Sequence, residues 1–180
     1  MTQLELVLQS GPAAIILREK DLSPEGYRQL AAQVMELCDQ YGVLCILHNF
    51  YNEEAEALHF PMHRLRKLTD AQRQKFSVLG ASCHSVAEAR EAAALGCTYI
   101  TAGHIFSTDC KKDLKPRGID FLEEICASVD IPVYAIGGIT SQTAGALKTM
   151  KIQGVCVMSG FMQCEDPAEY MKELKKGWEK

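Results

Sequence analysis

The sequence has no long hydrophobic run, and this absence sets the first limit on the protein. No stretch of its 180 residues approaches the roughly 18 consecutive apolar positions that a membrane-spanning helix needs. The first residues, MTQLELVLQSGPAA, carry an acidic side chain and no basic one before a short apolar patch, which is a poor match to a secretory signal peptide. We therefore expect no membrane partner.

Paired cysteine motifs are also missing. Eight cysteines are scattered along the chain without a C-x-x-C pair, and most lie inside apolar runs such as VLCIL and GVCVM. Free cysteine behaves there as a small hydrophobic residue. No His/Cys spacing matches a zinc site. These patterns predict reduced thiols, no metal site and a cytoplasmic location.

An excess of basic charge is absent too. Lys and Arg number 19 against 23 Asp and Glu, for a net charge of −4, so we expect no nucleic-acid partner. Apolar residues make up 47% of the chain, which is enough for a substantial core. No low-complexity linker or composition break divides the sequence. We expect a single domain over residues 1–180, and a homo-oligomer is compatible with it.

Short apolar runs alternate with amphipathic segments of helix length. One of these segments, SPEGYRQLAAQVMELCDQYG, has Ser23 as an N-cap candidate, Pro24 at its first helical position and Gly42 at its end. Several of the apolar runs are apolar at consecutive positions, as in strands buried on both faces of a parallel sheet. The seven predicted strands are 13–17, 43–47, 56–60, 76–81, 98–102, 132–136 and 154–158.

Regular alternation of seven strands with helices predicts an α/β fold of the (β/α)8-barrel type. Polar and glycine-rich stretches recur after most strands, where such barrels carry their catalytic face. An open doubly wound sheet is the alternative, but its ligand signals would gather near one switch point. One feature is missing: nothing before residue 10 reads as a strand. We therefore expect a barrel that lacks its first strand.

Glycine-rich turns follow the last two predicted strands. Gly137 and Gly138 precede a helix start, and Ser159 and Gly160 repeat the arrangement one strand later. Backbone N–H groups in such turns can approach an anion, and the loops after strands 7 and 8 bind phosphate in many barrels. Turn geometry alone is the alternative for each glycine. The pairing of the two turns favours a phosphate site.

A charged stretch ends the first visible strand. In LREKD, Arg18 and Lys20 are placed to reach the barrel mouth and hold a phosphate. A solvated cluster at a strand exit explains the same residues equally well.

Five segments, in order, resemble the thiamine phosphate synthase/TenI superfamily: LREKDLS, GASCHSVAEAREAAALGCTYI, GHIFSTDCKKDLKPRG, IPVYAIGGIT and GVCVMSG. The resemblance covers nearly the whole chain. It implies a TIM barrel that makes the thiazole half of thiamine or joins it to the pyrimidine half. The implied ligand is a small-molecule thiazole phosphate.

The sequence departs from the synthase pattern that this resemblance implies at Asn49, Arg64 and Ile16, and at His104, where the synthases carry a proline. The synthases join a pyrimidine diphosphate to thiazole phosphate with Mg2+ held by two aspartates. Asn49 and Arg64 stand at the matching positions, and neither supplies the anionic oxygen that Mg2+ prefers. Ile16 replaces a glutamine of the synthases. We therefore expect metal-dependent diphosphate displacement to be disabled.

The run GHIFSTDCKK is similar instead to the thiazole tautomerase (TenI) branch of the superfamily. That likeness makes His104 the catalytic candidate, in an isomerase that moves a proton on a carboxythiazole phosphate without metal or organic cofactor. Histidine suits this work because its ordinary pKa lies nearest neutrality. A strand-end histidine without chemistry is the alternative.

The remaining polar residues near the strand ends have several candidate roles. Ser82 matches a family Gly-x-Ser and is a candidate for substrate binding or a strand-end cap. Thr108 and Lys111 are candidates for a substrate-binding loop, and His84 for a turn. We assign His48, His59 and His63 to pocket lining or the surface, and Cys110 to packing or the loop.

Three functions therefore stand at this point. The first is the metal-free isomerase. The second is the synthase, a transferase that requires Mg2+. The third is a non-catalytic phosphate-binding or regulatory homologue, which the missing strand and a distorted barrel mouth would favour.

Overall fold

The computed structural model describes residues 2–50, 55–112 and 114–178. In these ranges seven parallel strands pair side by side in sequence order, from β1 to β7. The strands are β1 Ala14–Leu17, β2 Leu44–His48, β3 Ala57–Pro61, β4 Val78–Cys83, β5 Tyr99–Gly103, β6 Val133–Ile136 and β7 Gly154–Cys156. All seven predicted strands are therefore present, with ends that differ by up to two residues.

Helices connect the strands and cover the outer face of the sheet. They are α1 Gln3–Gln9, α2 Pro24–Gln40, α3 Met62–Leu65, α4 Asp70–Arg73, α5 Val86–Ala94, α6 Gly118–Ser128, α7 Ser141–Ala144, α8 Ser159–Gln163 and α9 Pro167–Trp178. Short 3-10 turns occupy Asp109–Lys111 and Gly145–Leu147. Within the described ranges, no helix is long and apolar enough to cross a membrane.

The limits of α2 show how local sequence sets an element. The Ser23 side chain accepts a hydrogen bond from the Gly26 N–H at 3.1 Å, and Pro24 is the first helical residue. After the helix, Gly42 has φ +65°, a conformation that glycine adopts without the steric cost of a side chain. The predicted N-cap and terminating glycine are both confirmed.

Two apolar layers lie on opposite faces of the sheet. The larger layer, between sheet and helices, includes Leu58, Phe60 and Ile100, which are almost fully buried. The smaller layer fills the barrel interior around Ile46 and Tyr99. Successive residues of a strand point to opposite faces, so strands β1 to β6 contribute to both layers. This is a TIM-type α/β barrel, as expected.

The part of the chain that the structure describes supplies seven strands, one fewer than a closed (β/α)8 barrel. Within the described residues, β1 and β7 each pair on one side only, and their side chains are all half-buried, while β5 is buried throughout. The helical layer nevertheless continues past this opening. The Gln3 amide of α1 donates to the carbonyls of Phe161 at 2.6 Å and Cys164 at 3.0 Å, which holds α1 against α8. The opening therefore lies in the sheet.

The cysteines behave as the sequence predicts. The seven whose side chains are described are free. Burial raises the pKa of Cys83, Cys97 and Cys156 to about 12, so these thiols stay protonated at neutral pH. Their role is packing.

The barrel interior depends on the absence of a side chain at Gly80. Gly80 pairs with Tyr99 on β5 and with His59 on β3. A Cβ added at Gly80 would overlap the Tyr99 ring, which lies across it. We expect Gly80→Ala to destabilise the fold by about 1–3 kcal/mol through overpacking, measured as a lower midpoint in urea unfolding.

Gly145→Ala is the matched control for this substitution. An added Cβ there meets no atom nearer than the Gly177 carbonyl oxygen at 3.7 Å. Its unfolding midpoint should match the wild-type value or exceed it slightly. Equal midpoints for the two variants would contradict the packing constraint at Gly80.

Candidate functional site

The site lies where the carboxyl ends of the parallel strands meet. In barrels of this type, the loops after the strands build the active site at that edge. Arg18 and Lys20 follow β1, His48 ends β2, Ser82 lies near the end of β4, and Lys111 belongs to the turn after β5. The fold therefore brings these residues to one edge of the sheet.

A tyrosine of α2 ties the ends of β1 and β2 together. The Tyr27 hydroxyl donates to the Leu17 carbonyl at 2.8 Å and accepts from the His48 N–H at 3.1 Å. Tyr27 is buried, and burial raises its pKa, so the hydroxyl keeps its proton for this bond. The two strand ends that carry the predicted cations and His48 are thus held side by side.

Arg18 and Lys20 form the cationic side of the site. Both are exposed, and both charges act on His48. Burial lowers the pKa of His48 most, and the two positive charges lower it further, to about 4. Between them, Glu19 accepts the backbone N–H groups of Lys20 at 2.7 Å and Asp21 at 3.2 Å. At neutral pH, His48 is therefore neutral beside two cations.

A chain of polar side chains runs through the barrel interior below this edge. His59 is 2% exposed; its Nδ1 lies 2.9 Å from the Tyr99 hydroxyl and its Nε2 2.8 Å from Ser82 Oγ. Thr101 Oγ1 donates to Ser82 Oγ at 3.5 Å. The His48 ring stacks on His59 at 5.6 Å between centroids. Burial is the main reason that the pKa of His59 falls to about 3.

His104 has a contact within its own loop. It is 6% exposed, and its Nε2 lies 3.2 Å from the Leu114 carbonyl oxygen. Its own carbonyl accepts the Arg117 N–H at 3.0 Å. These bonds close the loop between β5 and α6 on itself.

A cavity of about 360 Å³ lies beside this loop. Its lining residues among those described are His84, His104, Lys111, Leu114, Lys115, Pro116 and Arg117. The cavity therefore brings together His104 and Lys111 of the predicted site. Arg18, Lys20 and Ser82 lie outside this described lining. The predicted residues thus fall into two groups.

Close packing around the two glycine-rich turns is one reason that they contain glycine. Gly137 and Gly138 have φ +98° and +66°. A Cβ at Gly137 would overlap His104, and one at Gly138 would overlap the Ser107 carbonyl. At Gly160 a Cβ would overlap the Tyr170 hydroxyl. Phosphate binding by these glycines and by Ser159 stays a prediction.

Three interior residues were missed or misplaced by the sequence reasoning. His59 was assigned to pocket lining or the surface, but it is buried inside the barrel. Tyr99 and Thr101 were not singled out. A signal existed, because Ala57 and His59 alternate with Leu58 and Phe60 along β3. The exposed His63 fits its surface assignment, and His84 lies in the turn after β4, where its Nδ1 lies 2.7 Å from the Gly103 carbonyl oxygen.

The positions matched to the magnesium aspartates do not fit a magnesium ion. The Asn49 side chain is a neutral amide, and the Asn49 backbone, at φ +57°, donates its N–H to the His59 carbonyl at 2.8 Å. Arg64 is an exposed cation on α3. Among the described residues, no three His, Cys, Asp or Glu side chains come together as metal ligands. Mg2+ in proteins is usually held by one or two carboxylates together with waters and substrate phosphates; neither position supplies a carboxylate, and the Arg64 guanidinium opposes a cation.

A family model described as thiamine monophosphate synthase matches residues 1–161. The chain belongs to the thiamine monophosphate synthase (TMP-TENI) family. A thiamine-phosphate synthase of Caldivirga maquilingensis is 32% identical over 97% of this chain and 87% of its own length. Thiamine-phosphate synthase 2 of Streptococcus pneumoniae is 35% identical over 98% of this chain and 87% of its own length.

Two solved structures agree with the fold. A thiamine phosphate pyrophosphorylase from Pyrococcus furiosus superposes with a TM-score of 0.81, at 26% identity over 98% of this chain and 88% of its own. A geranylgeranylglyceryl phosphate synthase from Thermoplasma acidophilum has a TM-score of 0.69 at 12% identity, which shows the barrel fold alone.

The expectation of a tautomerase-type isomerase is wrong. These relatives within the thiamine monophosphate synthase family are named as synthases, which are transferases. The expectation rested on the run around His104 and on two lost aspartates. In the structure the His104 ring bonds to a carbonyl of its own loop, so a likeness in that run does not by itself indicate proton transfer. The proton-shuttle role of His104 is not carried forward.

The charge environment of His48 can be tested directly. We expect Arg18→Gln to raise the pKa of His48 above about 4, because a positive charge that disfavours the imidazolium is removed. The pKa should stay below 6.5, since burial, the largest cause, is unchanged. An NMR titration of the His48 ring measures it.

Arg66→Gln serves as the control, since Arg66 pairs with Glu91 at 2.7 Å on the outside of the barrel. It should leave the His48 titration unaltered. A titration of Arg18→Gln identical to wild type would show that Arg18 points away from the site.

Proposed function

We propose that this chain is a transferase of the thiamine-phosphate synthase type. It joins a pyrimidine diphosphate to a thiazole phosphate and releases diphosphate. The observation that carries this proposal is similarity to proteins of that name, at 32–35% identity over 97–98% of the chain. The substrates are two phosphorylated small molecules, which suits the cations at the strand ends.

The reaction replaces one bond with another at a methylene carbon. The C–O bond between the pyrimidine methylene and the diphosphate breaks, and the diphosphate leaves with the electron pair. The thiazole nitrogen forms a C–N bond to the same carbon. Negative charge therefore grows on the leaving diphosphate, and preorganised cations stabilise such charge in a transition state.

Two groups of this chain are suited to the phosphate groups of the substrates. Arg18 and Lys20 stand at the end of β1, where a guanidinium binds phosphate in bidentate geometry. Thr108 and Lys111 lie in the loop after β5, with Lys111 on the cavity wall. Ser82 between them supplies a neutral hydrogen bond. The glycine turns at Gly137–Gly138 and Ser159–Gly160 are the remaining phosphate candidates.

The magnesium ion that the resemblance implies plays no part in these steps, because Asn49 and Arg64 do not fit it. The positive charge in this proposal comes from side chains. A second candidate function follows from the same two residues: a non-catalytic homologue that binds phosphorylated ligands without joining them. The departures at Asn49 and Arg64 favour it.

The test is a coupling assay on the purified chain with both substrates, run once with Mg2+ and once with EDTA. We expect thiamine phosphate and an equal amount of diphosphate. Arg18→Gln and Lys111→Gln should each lower kcat/KM by about 10–100-fold, as expected for a lost charge-assisted hydrogen bond. Arg66→Gln, outside the barrel, should match wild type.

Each outcome separates the candidates. Product in either metal condition supports the synthase, and product with EDTA supports side-chain cations as the source of positive charge. Saturable binding of thiazole phosphate by calorimetry, without product in either condition, supports the non-catalytic homologue and contradicts the synthase. Absence of both binding and product contradicts both proposals.

A further inference from the structure

In the interior chain Tyr99–His59–Ser82–Thr101, the donor and the acceptor of each hydrogen bond can be assigned from the number of protons that each group carries. All four side chains lie on neighbouring strands, with His59 beside Gly80 and Ser82 beside Thr101 in the parallel ladders. His59 and Thr101 are buried, whereas Ser82 is half-buried at the carboxyl edge. Both ends of the chain, Tyr99 and Thr101, are therefore buried, and Ser82 between His59 and Thr101 is the member exposed toward the site.

Tyr99 is the hydrogen-bond donor to His59. Burial raises the pKa of Tyr99, so its hydroxyl keeps its proton. The hydroxyl lies 2.9 Å from His59 Nδ1, and leaving a buried donor unused costs free energy. A neutral imidazole has one donor and one acceptor nitrogen. Donation from Tyr99 makes Nδ1 the acceptor and leaves the ring proton on Nε2.

Ser82 is the hydrogen-bond acceptor from His59 and Thr101. The Nε2–H of His59 then donates to Ser82 Oγ at 2.8 Å, and Thr101 Oγ1 donates to the same oxygen at 3.5 Å. A hydroxyl has two lone pairs and one proton. With both lone pairs occupied, Ser82 retains only its proton for a further partner.

We propose that Tyr99 and His59 are positioning residues that commit the Ser82 hydroxyl to donate a hydrogen bond to the ligand. The ligand atom facing it is a hydrogen-bond acceptor that carries no proton, such as a phosphate oxygen. Applied to the two phosphorylated substrates, this rests on the proposed function. The predicted tautomer of His59 does not depend on the proposed function.

Packing around the chain holds the rings in place for this role. Gly80 leaves room for the Tyr99 ring to cross β4 and reach His59. The Tyr134 ring meets Tyr99 edge-on at 5.7 Å between centroids, and His48 stacks on His59 at 5.6 Å. Rings confined in this way cannot turn to exchange donor and acceptor without repacking the interior.

The tautomer is tested on the free protein by NMR of nitrogen-15-labelled histidine. We expect His59 with a bare Nδ1 and a protonated Nε2. Tyr99→Phe removes only the donor hydroxyl and should convert His59 to a mixture of tautomers. Tyr134→Phe, in the adjacent ring, should leave the His59 signals as in wild type. A protonated Nδ1 in wild type, or an unchanged tautomer in Tyr99→Phe, would overturn the proposal.

The consequence for Ser82 is tested by three variants in the coupling assay. His59→Leu and Ser82→Ala should each lower kcat/KM by about tenfold, the effect of one hydrogen bond. The double variant should be no worse than either single one, because both remove the same donor. His59→Gln places an amide N–H where Nε2 was and should recover most of the activity. Equal losses in His59→Gln and His59→Leu would contradict a positioning role.

Failure of this proposal is distinguishable from failure of the proposed function. The predicted tautomer in a wild-type protein that makes no thiamine phosphate would support the Tyr99–His59 relay and contradict the synthase. A wild-type protein that makes thiamine phosphate but has the other His59 tautomer would support the synthase and contradict the Tyr99–His59 relay. Tyr99→Phe keeps the test available where His59→Leu does not fold.

Discussion

The parallel register of β3, β4 and β5 is the constraint on which the interior of this protein depends. Register pairs His59 with Gly80 and Gly80 with Tyr99, so an imidazole and a phenol lie on either side of a residue with no side chain. Only that arrangement lets the Tyr99 ring pass over β4 to His59. A slip of one residue would turn each of these side chains to the opposite face, and Ser82 would lose its partner.

The same register places polar side chains on the interior face of the sheet and apolar side chains on the face that packs against the helices. Residues that face the helices are apolar, and most of them are buried, whereas the interior face carries imidazole, phenol and hydroxyl groups near the site. Polar groups in the interior are stable there because they are hydrogen-bonded to one another. Their burial keeps His48 and His59 neutral, so the positive charge at the mouth comes from Arg18 and Lys20. Strands β1 and β7, which each pair on one side only, are half-buried, whereas β5, which pairs on both sides, is buried throughout.

The misleading motif was the most local one. GHIFSTDCKK carries a histidine, two hydroxyls and two lysines in ten residues, a set that by itself predicts proton transfer. The structure gives its histidine a contact with a carbonyl in its own loop, while similarity over nearly the whole chain lies with synthases. A short run reports which groups are close in sequence, whereas catalysis depends on which groups are aimed at the substrate.

Much of the architecture was predictable. Short, largely apolar runs identified all seven strands, and the Ser23 cap and Gly42 identified the limits of a helix, because these features act within a few residues. The strand ends also placed Arg18, Lys20 and Ser82 at one edge. The interior chain could not be predicted in the same way, since His59, Ser82 and Tyr99 are far apart in sequence and each has an ordinary alternative.

The sequence by itself determined the order of strands and helices and the set of groups at the carboxyl edge, since periodicity and caps act locally. Only the tertiary structure decided which histidine faces the interior, which one closes a loop, and which oxygen retains a free proton. Those outcomes depend on distances between neighbouring strands, which arise from register and close packing.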